Sequence, residues 1–256
     1  MTNQSIQRFN DTCLNQAKQR STRIGEFLIK IQMPKLVLAN GSIEALKWLA
    51  LVLMTIDHVN KFLFQGQMSY MFEVGRLAMP LFGFVLAYNL ARPEAMLNGV
   101  HLRAMQRLFI FGLLTSPFFI PMAGWWPINI MFMLLIATYT IYLLEKGSQA
   151  NIWLCIIVFI AGGIFVEFFW FALAYCLAAW WYCKSPSIVS GLVWLIVTAL
   201  LSAVNLNAWA LAALPVIFLF SYIKIEMPRL RYIFYAYYPA HLALLLALSS
   251  FTSFKH

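Results

Sequence analysis

Long apolar runs separated by short polar stretches fill the chain from residue 43 onwards. Each run is about 17–22 residues long, which is the length of an α-helix that crosses a bilayer. The runs predict nine transmembrane helices at 44–64, 70–91, 104–120, 128–144, 151–166, 168–183, 187–204, 207–223 and 232–252. The pair at 151–183 is the shortest and is interrupted by Gly162, Gly163 and Glu167, so eight or ten spans are alternative counts.

Composition supports the same fold class. Hydrophobic residues make up 62% of the chain, charged residues 11%, and the mean hydropathy is +0.78. A soluble domain typically contains about 45–50% apolar residues. We therefore predict an all-α polytopic membrane protein. The four cysteines have neither metal-ligand spacing nor a disulfide framework, and we predict no metal site.

Basic residues are distributed unevenly between the predicted loops. One side of the membrane receives 15 of them and the other only Lys61 and Lys255. The 15 are Arg8, Lys18, Arg20, Arg23, Lys30, Lys35, Lys47, Arg92, Arg103, Arg107, Lys146, Lys184, Lys224, Arg229 and Arg231. Because cytoplasmic loops carry the excess of Lys and Arg, the N-terminus is predicted to be cytoplasmic and the C-terminus outside. The excess predicts contact with anionic lipid rather than with nucleic acid.

The chain divides into a basic segment, residues 1–43, and a transmembrane domain, residues 44–252. Within the segment, residues 24–37 mix apolar and basic side chains. This pattern is typical of an interfacial amphipathic helix, and a partly disordered tail is the alternative. Gly41 and Ser42 are predicted to cap the first span, and Asn129 is predicted to open the fourth.

Ionisable residues inside membrane spans are costly, so each is a candidate functional residue. They are Asp57 and His58 in the first span, Glu73 and Arg76 in the second, Glu167 between the fifth and sixth, and His241 in the last. With a rise of 1.5 Å per residue, His58 lies about 20 Å above the inner surface and Arg76 about 9 Å below the outer one. The two therefore lie at similar depth, and His241 can reach them if the last helix packs nearby.

The same residues also allow a structural interpretation. Asp57 and Arg76 could neutralise one another as a buried pair, or Glu73 could pair with Arg76 on one helix face. His241 could be a hydrogen-bonded residue between helices. Adjacent side chains on a helix diverge by about 100°, so Asp57 and His58 are not expected to form a dyad. We expect Asp57 to orient Arg76 and His58 to face a substrate.

Two blocks resemble the TraX family of conjugation-associated membrane proteins. The first is ALKWLALVLMTIDHVNKFLF, which contains Asp57 and His58, and the second is VGRLAMPLFGFVLAYNLAR, which contains Arg76. Weaker similarity occurs in NIMF, in AVNL and in FYAYYPAHLALL, which contains His241. Together these segments extend from about residue 43 to residue 250, which is most of the chain.

The resemblance implies a membrane acetyltransferase in the bacterial inner membrane. TraX proteins acetylate the N-terminal amine of conjugative pilin, with acetyl-coenzyme A as the presumed donor. On this hypothesis His58 is the first candidate for the catalytic base, and His241 is the second. Arg76 would bind the thioester oxygen, or be held by Asp57 and shape the pocket. The coenzyme phosphates would be bound by Arg92, Arg103, Arg107, Lys224, Arg229 and Arg231; orientation and lipid contact alone could also explain these residues.

Other functions remain possible from the sequence. A membrane O-acyltransferase acting on a glycan or lipid would use the same residues. A proton-coupled transporter could relay protons through Asp57, His58 and His241, although the sequence lacks the internal repeats that transporters often have. A non-catalytic pilus assembly factor would use the buried charges only to hold helices together.

Overall fold

Helices form nearly all regular secondary structure of residues 33–230 and 232–253, the part of the chain that the computed structural model describes. In chain order they are α1 (Asn40–Leu63), α2 (Ser69–Gly75), α3 (Ala78–Leu90), α4 (Val100–Ala123), α5 (Ile130–Lys146), α6 (Gln149–Phe165), α7 (Phe169–Lys184), α8 (Ile188–Leu200), α9 (Ser202–Asn205), a 3-10 helix (Trp209–Ala212), α10 (Ala213–Tyr222) and α11 (Ile233–Ser253). The predicted all-α class is confirmed.

Every predicted apolar run coincides with one helix or with two consecutive helices. The structure interrupts the second run between α2 and α3, the seventh between α8 and α9, and the eighth with the 3-10 helix. Within residues 33–230 and 232–253, four helical segments are long and apolar enough to cross a membrane: Ser69–Leu90, Val100–Ala123, Ile188–Asn205 and Ile233–Ser250. The chain is thus a helical membrane protein, while the count of nine crossings and the orientation stay predictions.

Helix α3 lies at the centre of the bundle. It packs against α1, α5 and α7, and Leu81, Phe84 and Ala87 on it are fully buried. Tyr175 of α7 donates a hydrogen bond of 2.8 Å to the Pro80 carbonyl. Because α3 is apolar on all sides and surrounded by other helices, it fixes the positions of the elements that carry the ionisable residues.

Helix α11 packs against α4 and α1, which satisfies the condition for bringing His241 near the first helix. The connection before α11 also contacts the start of α1. Ser42 donates a hydrogen bond of 2.5 Å to the Ile223 carbonyl, and the backbone of Ile225 lies so close to Gly41 that any side chain there would clash with it. The predicted capping role of Gly41 and Ser42 is therefore wrong, because Ala39 is the N-cap residue and makes no side-chain bond.

Two further predictions concern chain segments next to helices. The cap at Asn129 is confirmed, since its side chain accepts a hydrogen bond from the backbone N–H of Met131. Of the predicted amphipathic helix at 24–37, residues 24–32 lie outside the described residues, and residues 33–37 are not helical. Instead Leu36 and Leu38 are buried, and the Leu38 N–H bonds to the Tyr88 hydroxyl at 3.0 Å. This segment is therefore part of the packed structure.

Candidate active site

The connection between α1 and α2 is closed by one buried side chain, Asn60. Its amide nitrogen donates to the Met68 carbonyl at 3.0 Å, and its amide oxygen accepts from the Met68 N–H at 3.0 Å. Asn60 is only 1% exposed, so both bonds are shielded from water. They fix α2 against the upper part of α1, where Asp57 and His58 lie.

Arg76 at the start of the α2–α3 turn pairs with Asp57 of α1. The guanidinium donates to the Asp57 carboxylate and also to the Phe72 carbonyl at 3.2 Å, and it lies 4.3 Å from the centre of the Phe72 ring. The two charged side chains are 14% and 17% exposed. Of the two carboxylates expected from the sequence, Asp57 rather than Glu73 forms this pair. The role of Arg76 in shaping the pocket is therefore the one that the contacts favour.

Gly75 makes this pair possible. A Cβ atom at residue 75 would lie 2.5 Å from the Cβ of Asp57 and 2.8 Å from its Oδ1, closer than real carbon atoms approach. With hydrogen alone on its Cα, Gly75 lets α2 approach α1 directly at the carboxylate. The Gly-Arg sequence thus combines close helix contact with a cation at the next residue.

His58 has a different partner from its neighbour Asp57. Its Nδ1 lies 2.7 Å from Nε2 of His241, and the two rings are parallel within 2°. Nδ1 of His241 lies 3.0 Å from the Tyr237 carbonyl. A carbonyl can only accept, so Nδ1 of neutral His241 carries the proton and its Nε2 accepts from His58 Nδ1. This order of bonds leaves the Nε2 lone pair of His58 available as a base.

A cavity of about 370 Å³ lies beside these residues, and we call it the outer cavity. Its ionisable and hydroxyl-bearing wall residues are Asp57, His58, Lys61, Arg76, Glu167 and Tyr238. The structure brings Asp57, His58 and Arg76 to one cavity as expected, whereas His241 contacts it through His58. Sequence reasoning did not assign Lys61, Glu167 or Tyr238 to this site.

Backbone pairing between two loops places Glu167 in the outer cavity. The Ile128 N–H bonds to the Phe165 carbonyl at 2.7 Å, and the Glu167 N–H bonds to the Ile128 carbonyl at 3.3 Å. These bonds join the segment before α5 to the connection between α6 and α7. The signal for Glu167 was present in the sequence, because a carboxylate between two apolar runs is costly without a function or a partner.

A second cavity, of about 380 Å³, lies towards the predicted cytoplasmic ends of the helices, and we call it the inner cavity. Its cationic wall residues are Lys47, Arg92, Arg103, Arg107 and Arg229. Four of the five arginines expected at a phosphate site thus meet in one place, while Arg231 lies outside the described residues. Lys224 does not line this cavity, and Lys47, which sequence reasoning assigned to orientation alone, does.

Three of the inner cations contact polar side chains that are not among the lining residues of the cavity, Asn40 and Glu44. Arg92 donates to the Asn40 side chain at 2.9 Å. Lys47 pairs with Glu44 at 2.6 Å, and the same carboxylate lies 3.9 Å from Arg229. The described lining residues of this cavity include five cations and no carboxylate, so the cavity carries a net positive charge. Such a site suits a polyanion.

Only a thin layer of side chains separates the two cavities. Along α3, Met79 lines the outer cavity and Phe82 the inner one; along α11, Tyr238 lines the outer cavity and Tyr235 the inner one. Each step is three residues, or about 4.5 Å of helix rise. On α5 the neighbouring residues Ile130 and Met131 belong to different cavities. We call this layer the septum.

The bundle and its two polar cavities define a helical membrane protein whose charged groups are arranged around ligand-sized spaces. The family model described as TraX protein matches residues 42–249. The chain belongs to the TraX family, as the sequence blocks around Asp57 and Arg76 had suggested.

Two curated relatives are both named Protein TraX. The one from Escherichia coli is 36% identical over 117 residues, and the one from Escherichia coli strain K12 is 37% identical over 117 residues. Each alignment covers 44% of this chain and 44% of the relative, so less than half of each relative is matched. No solved structure matches the chain.

Proposed function

We propose that this protein is an acetyltransferase of the bacterial inner membrane that transfers an acetyl group from acetyl-coenzyme A to the N-terminal amine of a conjugative pilin. One observation carries the proposal. His58, whose Nε2 keeps its lone pair, lines a cavity that is separated by about one helical turn from a cavity lined by five cations. A base and a polyanion site on two sides of one septum suit the transfer of a group between two substrates.

The inner cavity is the proposed donor site. Coenzyme A carries a pyrophosphate and a ribose phosphate, and arginine binds phosphate through paired hydrogen bonds. Arg92, Arg103, Arg107 and Arg229 are suitable for these groups, and Lys47 adds a further charge. The predicted orientation places this cavity on the cytoplasmic side, where acetyl-coenzyme A is made. The thioester would then be directed towards the septum.

The outer cavity is the proposed acceptor site. An inserted pilin is a hydrophobic peptide that can approach laterally through the bilayer. A free α-amine has a pKa near 7.7–8.0, so part of it is unprotonated and nucleophilic near neutral pH, and the base has only to take the proton that the nitrogen loses as the amide forms. His58 and the Asp57–Arg76 pair would form the polar wall against which this amine is placed.

In the proposed reaction the amine nitrogen attacks the thioester carbon and the carbonyl electrons move to oxygen. Nε2 of His58 accepts the proton that the nitrogen loses. The carbonyl then re-forms, the carbon–sulfur bond breaks, and the thiolate takes the proton to give free coenzyme A and the N-acetylated peptide. His241 supports the base, because it accepts from His58 Nδ1–H and so stabilises the imidazolium that forms.

Intact-mass spectrometry of the pilin tests this proposal. The protein is expressed in bacterial membranes with its pilin as wild type, as His58→Ala, and as His101→Ala, a second buried histidine that lines neither cavity. We expect wild type and His101→Ala to add one acetyl group and His58→Ala to add none at equal protein level, because only His58 can take the amine proton.

Each other result has a definite meaning. Acetylation by His58→Ala at the wild-type rate would remove His58 as the base. Absence of acetylation by folded wild type would reject pilin as the acceptor, and mass analysis of glycans and lipids for acyl groups would then test the O-acyltransferase alternative. A membrane without the protein gives the background in every case.

A further inference from the structure

Tyr238 has a hydroxyl group that the packing leaves without an acceptor. The side chain is 2% exposed, and its buried hydroxyl has no acceptor among the described residues, although the Ile130 N–H approaches the oxygen as a donor. Buried hydroxyl groups are nearly always bonded, because burial without a partner is unfavourable. An exception within a polar cavity wall suggests that a ligand supplies the missing partner.

The position of Tyr238 points to the ligand. Its ring centre lies 6.2 Å from that of His58 and 5.4 Å from that of His241. Tyr238 lines the outer cavity, and Tyr235, one turn away on α11, lines the inner one. Tyr238 therefore lies in the septum beside the proposed base, where a group arriving from the inner cavity would first meet the acceptor.

The other donors around the outer cavity are engaged or exposed. Arg76 is held by Asp57 and by the Phe72 carbonyl. The Asn60 amide group donates to the Met68 carbonyl. Lys61 is exposed, so water competes for its ammonium group. Tyr238 is thus the buried donor of this wall that has not found an acceptor.

We infer that Tyr238 donates its hydroxyl hydrogen bond to the acyl oxygen as the thioester carbonyl becomes an oxyanion. This inference rests on the proposed acetyl transfer. When the amine attacks, the carbonyl electrons move to oxygen and Tyr238 keeps its proton while it stabilises the charge. When the carbonyl re-forms, the carbon–sulfur bond breaks and the hydrogen bond weakens.

Such an arrangement favours the transition state over the free enzyme. The hydroxyl is unsatisfied before the donor binds and gains most when the oxygen carries a full negative charge. Interactions that strengthen towards the transition state raise the rate rather than the affinity for substrate. Tyr238 is therefore expected to affect kcat and to leave KM for acetyl-coenzyme A nearly unchanged.

Tyr238→Phe tests the inference, with Tyr175→Phe as the matched control. Both tyrosines are buried, but the Tyr175 hydroxyl already bonds to the Pro80 carbonyl and lines neither cavity. Acetylation kinetics and the unfolding temperature are measured for both in detergent. For Tyr238→Phe we expect kcat to fall about 100-fold, with KM for acetyl-coenzyme A and the unfolding temperature retained.

The control should give the opposite pattern. Tyr175→Phe loses a made hydrogen bond, so its unfolding temperature should fall by about 2–4 °C while kcat is retained. A kcat of Tyr238→Phe within twofold of an active wild type would overturn the inference and leave the proposed function standing. A loss of kcat accompanied by an equal loss of thermal stability would assign Tyr238 a structural role. An inactive wild type would reject the proposed function and this inference with it.

Discussion

The outer and inner cavities have nearly equal volumes, about 370 and 380 Å³, but their polar groups are organised differently. In the outer cavity four groups form two specific pairs: Asp57 holds Arg76, and His241 holds His58. In the inner cavity several cations are placed around an open space with few carboxylates nearby. The first arrangement fixes one atom in one orientation, whereas the second offers charge to a ligand from many directions.

This difference predicts how the two sites respond to substitution. Replacing either member of a buried pair in the outer cavity should strongly reduce stability, because the remaining group is then buried and unpaired. Replacing one cation of the inner cavity should weaken the binding of an anionic ligand only slightly, because each cation contributes a part of the attraction. Three further experiments test this contrast, in order of decreasing expected effect.

Asp57→Asn should have the largest effect. It leaves the Arg76 charge uncompensated, and breaking a largely buried pair costs about 3 kcal/mol of stability. The double variant Asp57→Asn, Arg76→Gln should recover part of this loss. Chemical unfolding in detergent measures both. Lys184→Gln is the control: its lysine side chain is 45% exposed, and Glu145, which is 7% exposed, keeps the hydrogen bond from the Trp180 Nε1–H at 3.2 Å, so the loss should be about 1 kcal/mol or less. Equal losses of stability in Asp57→Asn and Lys184→Gln would contradict the special role of the buried pair in the outer cavity.

Gly75→Ala should have the next largest effect. Its new Cβ atom would overlap Asp57, and overpacking of this kind costs about 1–3 kcal/mol. The displaced carboxylate would also release Arg76, so acetylation should decrease together with stability. In Gly191→Ala the nearest atom to the new Cβ is 3.4 Å away, and alanine favours a helix, so no loss is expected. Thermal unfolding and acetylation are measured for both, and an unaffected Gly75→Ala would refute the close packing at Asp57.

Arg103→Gln should have the smallest effect. One of five cations is lost, so we expect KM for acetyl-coenzyme A to rise about fivefold, or about 1 kcal/mol, with kcat unchanged. The difference should shrink at high salt, which screens charges. Lys146→Gln removes another cation on the predicted cytoplasmic side that does not line the cavity, and it should leave KM unchanged. A large fall in kcat for Arg103→Gln would give this residue a fixed role instead.

Local sequence patterns were sufficient to place the helices and to single out Asp57, His58 and Arg76 of the outer cavity. Apolar runs determine where helices form in a membrane, so each of the nine predicted runs coincides with one helix or with two consecutive helices. The break between α2 and α3 was missed, because the apolar run continues through it. The capping role given to Ser42 was wrong because its hydroxyl bonds to a carbonyl 181 residues away, a contact that no local pattern specifies.

The bonding partners of the ionisable residues in the outer cavity were predictable only in part. Helix geometry separated the side chains of Asp57 and His58 and so gave them different partners, as the structure has them. The bond between His58 and His241 spans 183 residues, and no local pattern specifies the packing of α11 on α1 that produces it. Tyr238 was not singled out from the sequence, because a buried hydroxyl without an acceptor is a property of the packed structure and leaves no mark on the sequence.

Helix α1 carries residues of both cavities. Lys47 lines the inner one and His58 the outer one, and 11 residues of continuous helix, about 16 Å, separate them. A rigid tilt of this helix therefore moves the cation at one end and the imidazole at the other in the same event. A ligand that displaced Lys47 together with this helix would therefore also displace the His58 ring.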